Sequence, residues 1–232
     1  MIGYLHFNPA DACTLPRIEQ KELAPLDDLQ ITAFLKEIQG NSMEALFTVT
    51  LFTGLREGEV MGLMWDCVNF EKGTILIDKQ LRKGQEKGGK YYFSPPKNNK
   101  SRTLTPAPYV MKLLREQKVH QAEQKLMAGP AWEDTGLVFT NEFGRYVSYR
   151  ALYDSFKRMV NQIGVPTARI HDLRHTYAVN CIRAGDDIKT VQSNLGHATA
   201  AFTLDVYGHF TDDMRTVSSR RMEGFITKVL NL

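Results

Sequence analysis

Two arginines, two histidines and a tyrosine stand at spacings that could hold a phosphodiester and attack it. They are Arg56 in Thr53-Gly54-Leu55-Arg56-Glu57-Gly58-Glu59, His171 and Arg174 in His171-Asp172-Leu173-Arg174, His197 in Leu195-Gly196-His197, and Tyr207, ten residues beyond His197. An arginine fork matches two phosphate oxygens, and an imidazole beside it can move a proton near neutral pH. A phenol can serve as the attacking oxygen once its proton is taken. Each piece alone has a plainer reading. His171 and Arg174 could be an exposed polar helix face, His197 a capping residue, Tyr207 a boundary residue and Arg56 half of a helix-start ion pair. His171 and His175 are also four apart, as in zinc sites. However, Asp172 stands where such a motif needs glutamate, and Arg174 would set a positive charge beside the cation. The order and spacing of all the pieces together outweigh these separate readings.

These residues need particular elements to position them. On a helix beginning near His171, His171 and Arg174 lie within about 60° of each other, with His175 beside them. Leu173, Tyr177 and Cys181 form a separate apolar face, so the helix is expected to pack by one side and offer imidazole and guanidinium on another. Gly196 reads as a left-handed helix stop, with His197 opening the next turn. Gly54 likewise ends an apolar helix carrying Leu46, Val49, Thr50 and Leu51, and exposes Arg56 at the start of the next. Glu59, one turn on, can hydrogen-bond and orient neighbouring cations. Tyr207 closes a short helix bearing Phe202, Leu204 and Val206.

Along the chain, residues 1–25, with Pro9, Pro16 and Pro25, read as an arm or linker. Helical patterning starts at Leu26, where Asp27 and Asp28 suit an N-terminus and Gly40 a stop. Further helices are expected at 43–52, 57–63, 107–127, 148–163, 171–184, 187–194, 199–206 and 212–229. Thr74–Ile77, Tyr91–Phe93 and Arg102–Leu104 have strand preference and turn-rich connections, which predicts a small antiparallel sheet of three strands. Lys97 lies in the second connection, five residues before Arg102. A lysine there is ordinarily solvated, but a mobile loop can bring an ammonium to a leaving group. The expected fold class is therefore mainly α with a small three-stranded antiparallel sheet (α+β), in one domain from 26 to 232.

Composition bounds the function less sharply. In 232 residues, 43% are hydrophobic and 24% charged, which is ordinary for a soluble protein with a core. The net charge of +3 permits nucleic-acid binding without suggesting it. Cys13, Cys67 and Cys181 are widely spaced and form no CxxC pair, which reads as reduced thiols in a cytoplasmic protein. No apolar run approaches the roughly 18 residues of a membrane span.

From about Leu26 to Leu232 the chain resembles the catalytic domain of the tyrosine recombinases, the phage-integrase family. The TGLRxxE box, a lysine in the second strand connection, HxxR, LGH and the tyrosine occur here in that order. The resemblance implies that Arg56, Lys97, His171, Arg174, His197 and Tyr207 are catalytic, with Glu59 as a supporting acid. It implies that Tyr207 attacks DNA to form a 3′-phosphotyrosyl bond and that Lys97 protonates the departing 5′-oxygen. His171 is the candidate acceptor of the phenol proton, and no metal or other cofactor is required. Another strand's 5′-hydroxyl then reverses the step and completes exchange. The implied partner is a double-stranded DNA site, bound by a homotetramer of protomers that are monomeric when free. The final helix is the candidate contact between neighbours, or else packs on its own domain. The helix opening at Ser148-Tyr149-Arg150 resembles the one that relatives place in the major groove, which makes those three residues candidate DNA contacts. Residues 1–25 resemble the linker from an N-terminal DNA-binding domain that the chain lacks. A type IB topoisomerase-like nicking enzyme and a non-catalytic DNA-binding remnant are the alternatives; the box spacings favour the recombinase.

Overall fold

Asp27 starts the first helix, α1 (Asp28–Glu37), because its carboxylate accepts the Gln30 N–H while the Gln30 side chain accepts the Asp27 N–H. The computed structural model describes Cys13 and residues 24–84, 89–97, 99–196 and 212–230. Most of the 1–25 arm, the helix expected at 199–206, His197 and Tyr207 lie outside the described residues. After α1 come α2 (Glu44–Thr53) and α3 (Glu57–Met61), then five short strands: β1 (Val68–Asn69), β2 (Thr74–Ile77), β3 (Gln80–Lys83), β4 (Tyr91–Ser94) and β5 (Arg102–Leu104). Helices α4 (Pro108–Ala128), α5 (Tyr149–Gln162), α6 (Ile170–Ala184), α7 (Ile188–Leu195) and α8 (Asp212–Leu230) complete the described chain. The expected helices that fall on described residues are all found, with ends shifted by one or two residues.

The strands pair differently from the expectation. The three-stranded antiparallel sheet has the order β1-β2-β5, and β4 pairs instead with β3 in a separate two-stranded hairpin. Gln80-Leu81-Arg82-Lys83 carries one apolar residue and no alternation, so nothing in its sequence marks a strand. Its partner β4 supplies what is missing: Tyr91 stacks on Tyr146 and Tyr149 at 5.5 and 5.9 Å between ring centroids. The Tyr91 hydroxyl accepts the Tyr149 N–H, and the Tyr149 hydroxyl donates to the Leu81 carbonyl. The hairpin is thereby fastened to the start of α5. Helix α3 lies directly on β3, since a Cβ at Gly58 or Gly62 would meet Leu81 backbone atoms at 2.7 and 2.6 Å.

One core joins α1, α2 and α5 through Phe34, Phe47 and Phe156, whose rings lie 5.8 to 6.0 Å apart. A second, smaller cluster of Ala178, Val179, Ile182, Val191 and Leu195 seats α7 on α6. This cluster places the end of α7 beside the start of α3. On α8, Met222, Phe225, Ile226, Val229 and Leu230 form an apolar stripe open to solvent. Among the described residues no helix is long and apolar enough to cross a membrane.

Candidate active site

The site begins with two helix ends. Helix α2 stops at Gly54 and α7 at Gly196, both in the left-handed conformation at φ 64° and 62°. Gly54 is required twice over, because a Cβ there would also strike the Tyr177 ring at 2.4 Å. Each stop leaves carbonyl oxygens without helical partners, and the negative end of each helix favours cations. Arginines fill both places.

Arg174 donates through Nη1 to the Gly54 carbonyl at 2.6 Å and through Nη2 to the Leu195 carbonyl. The expected exposed guanidinium is therefore corrected: Arg174 is 1% exposed and bridges the ends of α2 and α7. A helical wheel cannot foresee this, because two carbonyls from elsewhere in the chain create the polar pocket. Arg56, at the N-cap of α3, donates through Nη2 to the Gly196 carbonyl at 3.2 Å and through Nη1 to Glu59 at 2.9 Å. Glu59 also accepts the Arg56 N–H at 2.9 Å, which fixes where the arginine leaves the helix.

Glu59 is fully buried and serves a second arginine. Arg102 on β5 grips both of its oxygens, at 2.9 and 2.7 Å, and its Nε donates to the Asn194 carbonyl at 2.8 Å. In the sequence Arg102 marks only the third strand and its distance from Lys97. The one available signal was a charged residue on a strand that pairs into the core. Burial alone would raise the Glu59 pKa, but the hydrogen bonds and charge of Arg102, then those of Arg56, pull it down to about 2.

The remaining residues of the His171-Asp172-Leu173-Arg174 box are also accounted for. Leu173 is in the core, and Asp172 accepts the Arg169 N–H at 2.8 Å and pairs with the Arg169 guanidinium. His171 and His175 meet edge to face with ring centroids 4.6 Å apart. Burial, then the Arg174 charge, lowers the His171 pKa to about 4; burial, then His171, does the same for His175. His171 is exposed to solvent, and its lowered pKa leaves a neutral ring at pH 7 with a lone pair able to take a proton.

These shifts set two acid windows. A histidine whose folded pKa lies below its unfolded value of about 6.5 resists protonation in the fold, so stability is full above 6.5 and is lost as pH falls toward 4. The Glu59 contribution is full above about 4.5 and is lost as pH falls toward 2. Thermal melts from pH 7.5 to 4.5 should show falling stability, and His175→Gln should flatten that slope by up to about 1.4 kcal/mol per pH unit. An unchanged slope in the variant would sink the assignment.

Lys97 lies exposed in the turn after β4, five residues ahead of Arg102. Of the three candidate DNA contacts, Ser148 caps α5 by accepting the Ala151 N–H, and Tyr149 is engaged with β3 and β4. Arg150 faces solvent, paired with Asp154 at 2.6 Å. The structure therefore brings Arg56, Glu59, His171 and Arg174 together around the end of α7, one residue before His197.

Comparison with known proteins places this geometry. Residues 23–214 match the profile of the phage integrase family. The chain is 32% identical to a protein named "Tyrosine recombinase XerC-like" from Caldanaerobacter subterraneus subsp. tengcongensis, over 92% of this chain and 59% of that one. It is 23% identical to an integrase of Saccharopolyspora erythraea, over 96% of this chain and 62% of that one. The chain thus spans about six tenths of the length of these curated relatives. Its fold is similar to that of the Tn1549 transposon integrase, solved in complex with transposon right end DNA. That likeness has a TM-score of 0.73 at 22% identity and covers 94% of this chain and 71% of that one.

Proposed function

Because the chain belongs to the phage integrase family, we propose that it breaks and rejoins double-stranded DNA at a specific site through a tyrosine nucleophile. The observation that carries this reading is the convergence of Arg56 at the start of α3 and Arg174 in α6 on the end of α7. With both histidines neutral, the guanidiniums of Arg56, Arg102 and Arg174 outweigh the Glu59 carboxylate by two charges. A phosphodiester carries one negative charge, and attack by a phenolate raises that to two. The surplus of positive charge therefore favours the more highly charged transition state over the bound substrate.

In the proposed step the Tyr207 oxygen forms a bond to phosphorus and the bond from phosphorus to the 5′-oxygen breaks. The phenol proton passes to His171, and the Lys97 ammonium gives a proton to the departing 5′-oxygen. Arg56 and Arg174 hold the non-bridging oxygens, and His197 donates one more hydrogen bond. The 3′-phosphotyrosyl bond keeps the energy of the broken linkage, so a second strand's 5′-hydroxyl can reverse the step without a nucleotide cofactor. Exchange between duplexes calls for a homotetramer on DNA, assembled from free monomers. The apolar stripe of α8 is the proposed surface between neighbours, and Arg150 on α5 a proposed groove contact. Residues 1–25 are proposed as the linker to a further DNA-binding domain, and the reaction as one of mobile-element integration or excision in the cytoplasm.

The test is to incubate the chain with excess supercoiled plasmid at low salt in EDTA and stop with SDS. Nicked DNA bound to protein through a phosphotyrosine that maps to the Tyr207 peptide is the expected product. Relaxation without exchange between two cognate sites would instead favour the topoisomerase-like activity. Failure to form an adduct, even with the N-terminal region of a relative supplied, would leave a DNA-binding remnant as the better description.

A further inference from the structure

The phosphate clamp is braced by a residue outside the proposed catalytic set. Three successive carbonyls at the end of α7 each receive an arginine: Asn194 from Arg102, Leu195 from Arg174 and Gly196 from Arg56. Two of these arginines are the proposed phosphate ligands. The third, Arg102, turns its fork onto Glu59 and its Nε onto Asn194, and its side chain is only 10% exposed. Its aliphatic stem lies so close to Gly196 that a side chain there would meet it at 3.1 Å. Its fork and its Nε are thus all committed to protein oxygens.

We infer that Arg102 is a positioning residue that keeps Arg56 available for the phosphate and fixes the end of α7, an inference that rests on the proposed strand-cleavage activity. Glu59 is the pivot. A buried carboxylate facing Arg56 alone would draw in both terminal nitrogens of that arginine, because a bidentate pair is the favoured geometry for an arginine with a carboxylate. Arg102 takes the bidentate place instead, at 2.9 and 2.7 Å, and leaves Glu59 a single side-chain contact with Arg56, through Nη1. Arg56 Nη2 then sits at a longer 3.2 Å from the Gly196 carbonyl, a contact that a phosphate oxygen can displace. Because Arg102 also holds Asn194, the same side chain sets how far the α7 end stands from Arg56. Without it, Glu59 would retain its charge less readily and would no longer hold Arg56 in line with the reacting phosphate.

The experiment compares the chain with Arg102→Met, Arg102→Lys, Glu59→Gln and the Arg102→Met/Glu59→Gln double variant. Duplex affinity is read by anisotropy, and cleavage of a nicked suicide duplex is followed at saturating DNA from pH 4.5 to 9. Arg102→Met should bind DNA within about threefold of the parent while its cleavage rate falls about 10²-fold, the usual effect of misplacing a catalytic group. The acid limb of its rate profile should move to higher pH, because Glu59 has lost its main neutralising partner. Arg102→Lys keeps the charge without the fork and should recover only part of the rate. The double variant should lose less than the product of the two single losses, since Arg102 and Glu59 act as one unit. A loss confined to DNA affinity, with the saturated rate intact, would make Arg102 a direct contact and overturn the inference. So would parental rates in both Arg102→Met and Arg102→Lys. If Arg102→Met does not fold, Arg102→Lys decides the matter: a parental melting temperature with a reduced rate and a shifted acid limb supports the role, and a parental rate refutes it. If the parent itself forms no Tyr207-linked adduct, the activity reading falls and this inference falls with it; an active parent with fully active variants overturns this inference alone.

Discussion

Replacing Tyr207 with phenylalanine should abolish the protein–DNA adduct altogether while leaving duplex affinity within about twofold. The change removes one oxygen and keeps the ring. In the proposed step that oxygen bonds to phosphorus, so no amount of retained binding can substitute for it. At the reference pKa of about 10, about one phenol in a thousand is ionised at pH 7, a cost of about 4 kcal/mol that the site must offset as attack proceeds. A neutral imidazole at His171 and a surplus of guanidinium charge are suited to that task. The measurement is the SDS-resistant adduct on a 5′-labelled and a 3′-labelled duplex: only the label on the 3′-phosphate side should stay with the protein. A residual adduct in the phenylalanine variant would move the nucleophile elsewhere.

The second large effect is expected at Arg174, where the same substitution strikes stability and chemistry together. Arg174→Ala withdraws a buried guanidinium from the Gly54 and Leu195 carbonyls. Two acceptors left in a covered pocket cost about 1–3 kcal/mol each, so a total loss of roughly 3 kcal/mol is expected. For a chain of this size that lowers Tm by roughly 6–12 °C. Cleavage should fall by about 10²–10³ at a temperature where the variant is folded, because a donor to the developing charge is gone. Arg174→Lys separates the two effects. One ammonium cannot reach both carbonyls and a phosphate in the plane that a guanidinium covers, so stability should recover in part while the rate stays low. Full recovery of the rate in the lysine variant would show that the charge alone was needed.

The sequence was most informative where chemistry and local geometry coincide. Gly54 and Gly196 could be recognised as helix stops because the left-handed conformation is a property of the residue itself. Arg56, His171 and Arg174 were legible from their spacing along helices, and the structure gathers them with Glu59. What could not be read depended on partners far along the chain. Arg102 acquires its meaning from Glu59 and Asn194, 43 and 92 residues away. The strand Gln80–Lys83 forms because Tyr91 and Tyr149 hold its neighbour, and its own residues give no alternation to detect. The burial of Arg174 likewise depends on distant partners. A wheel shows which side chains share a face, whereas the carbonyls that make a buried guanidinium affordable lie on other helices.

The gathering of three arginines on the end of α7 also bears on how the chain is made. Arg56 and Gly196, which close the clamp, are 140 residues apart. At a synthesis rate of about 5–20 residues per second, roughly seven to thirty seconds separate the emergence of the first from that of the second. Until α7 has left the ribosome, Arg56 and Arg174 have no common anchor. A growing chain that has not yet released α7 therefore carries the arginines without the clamp, so the proposed site is assembled only after Gly196 has emerged.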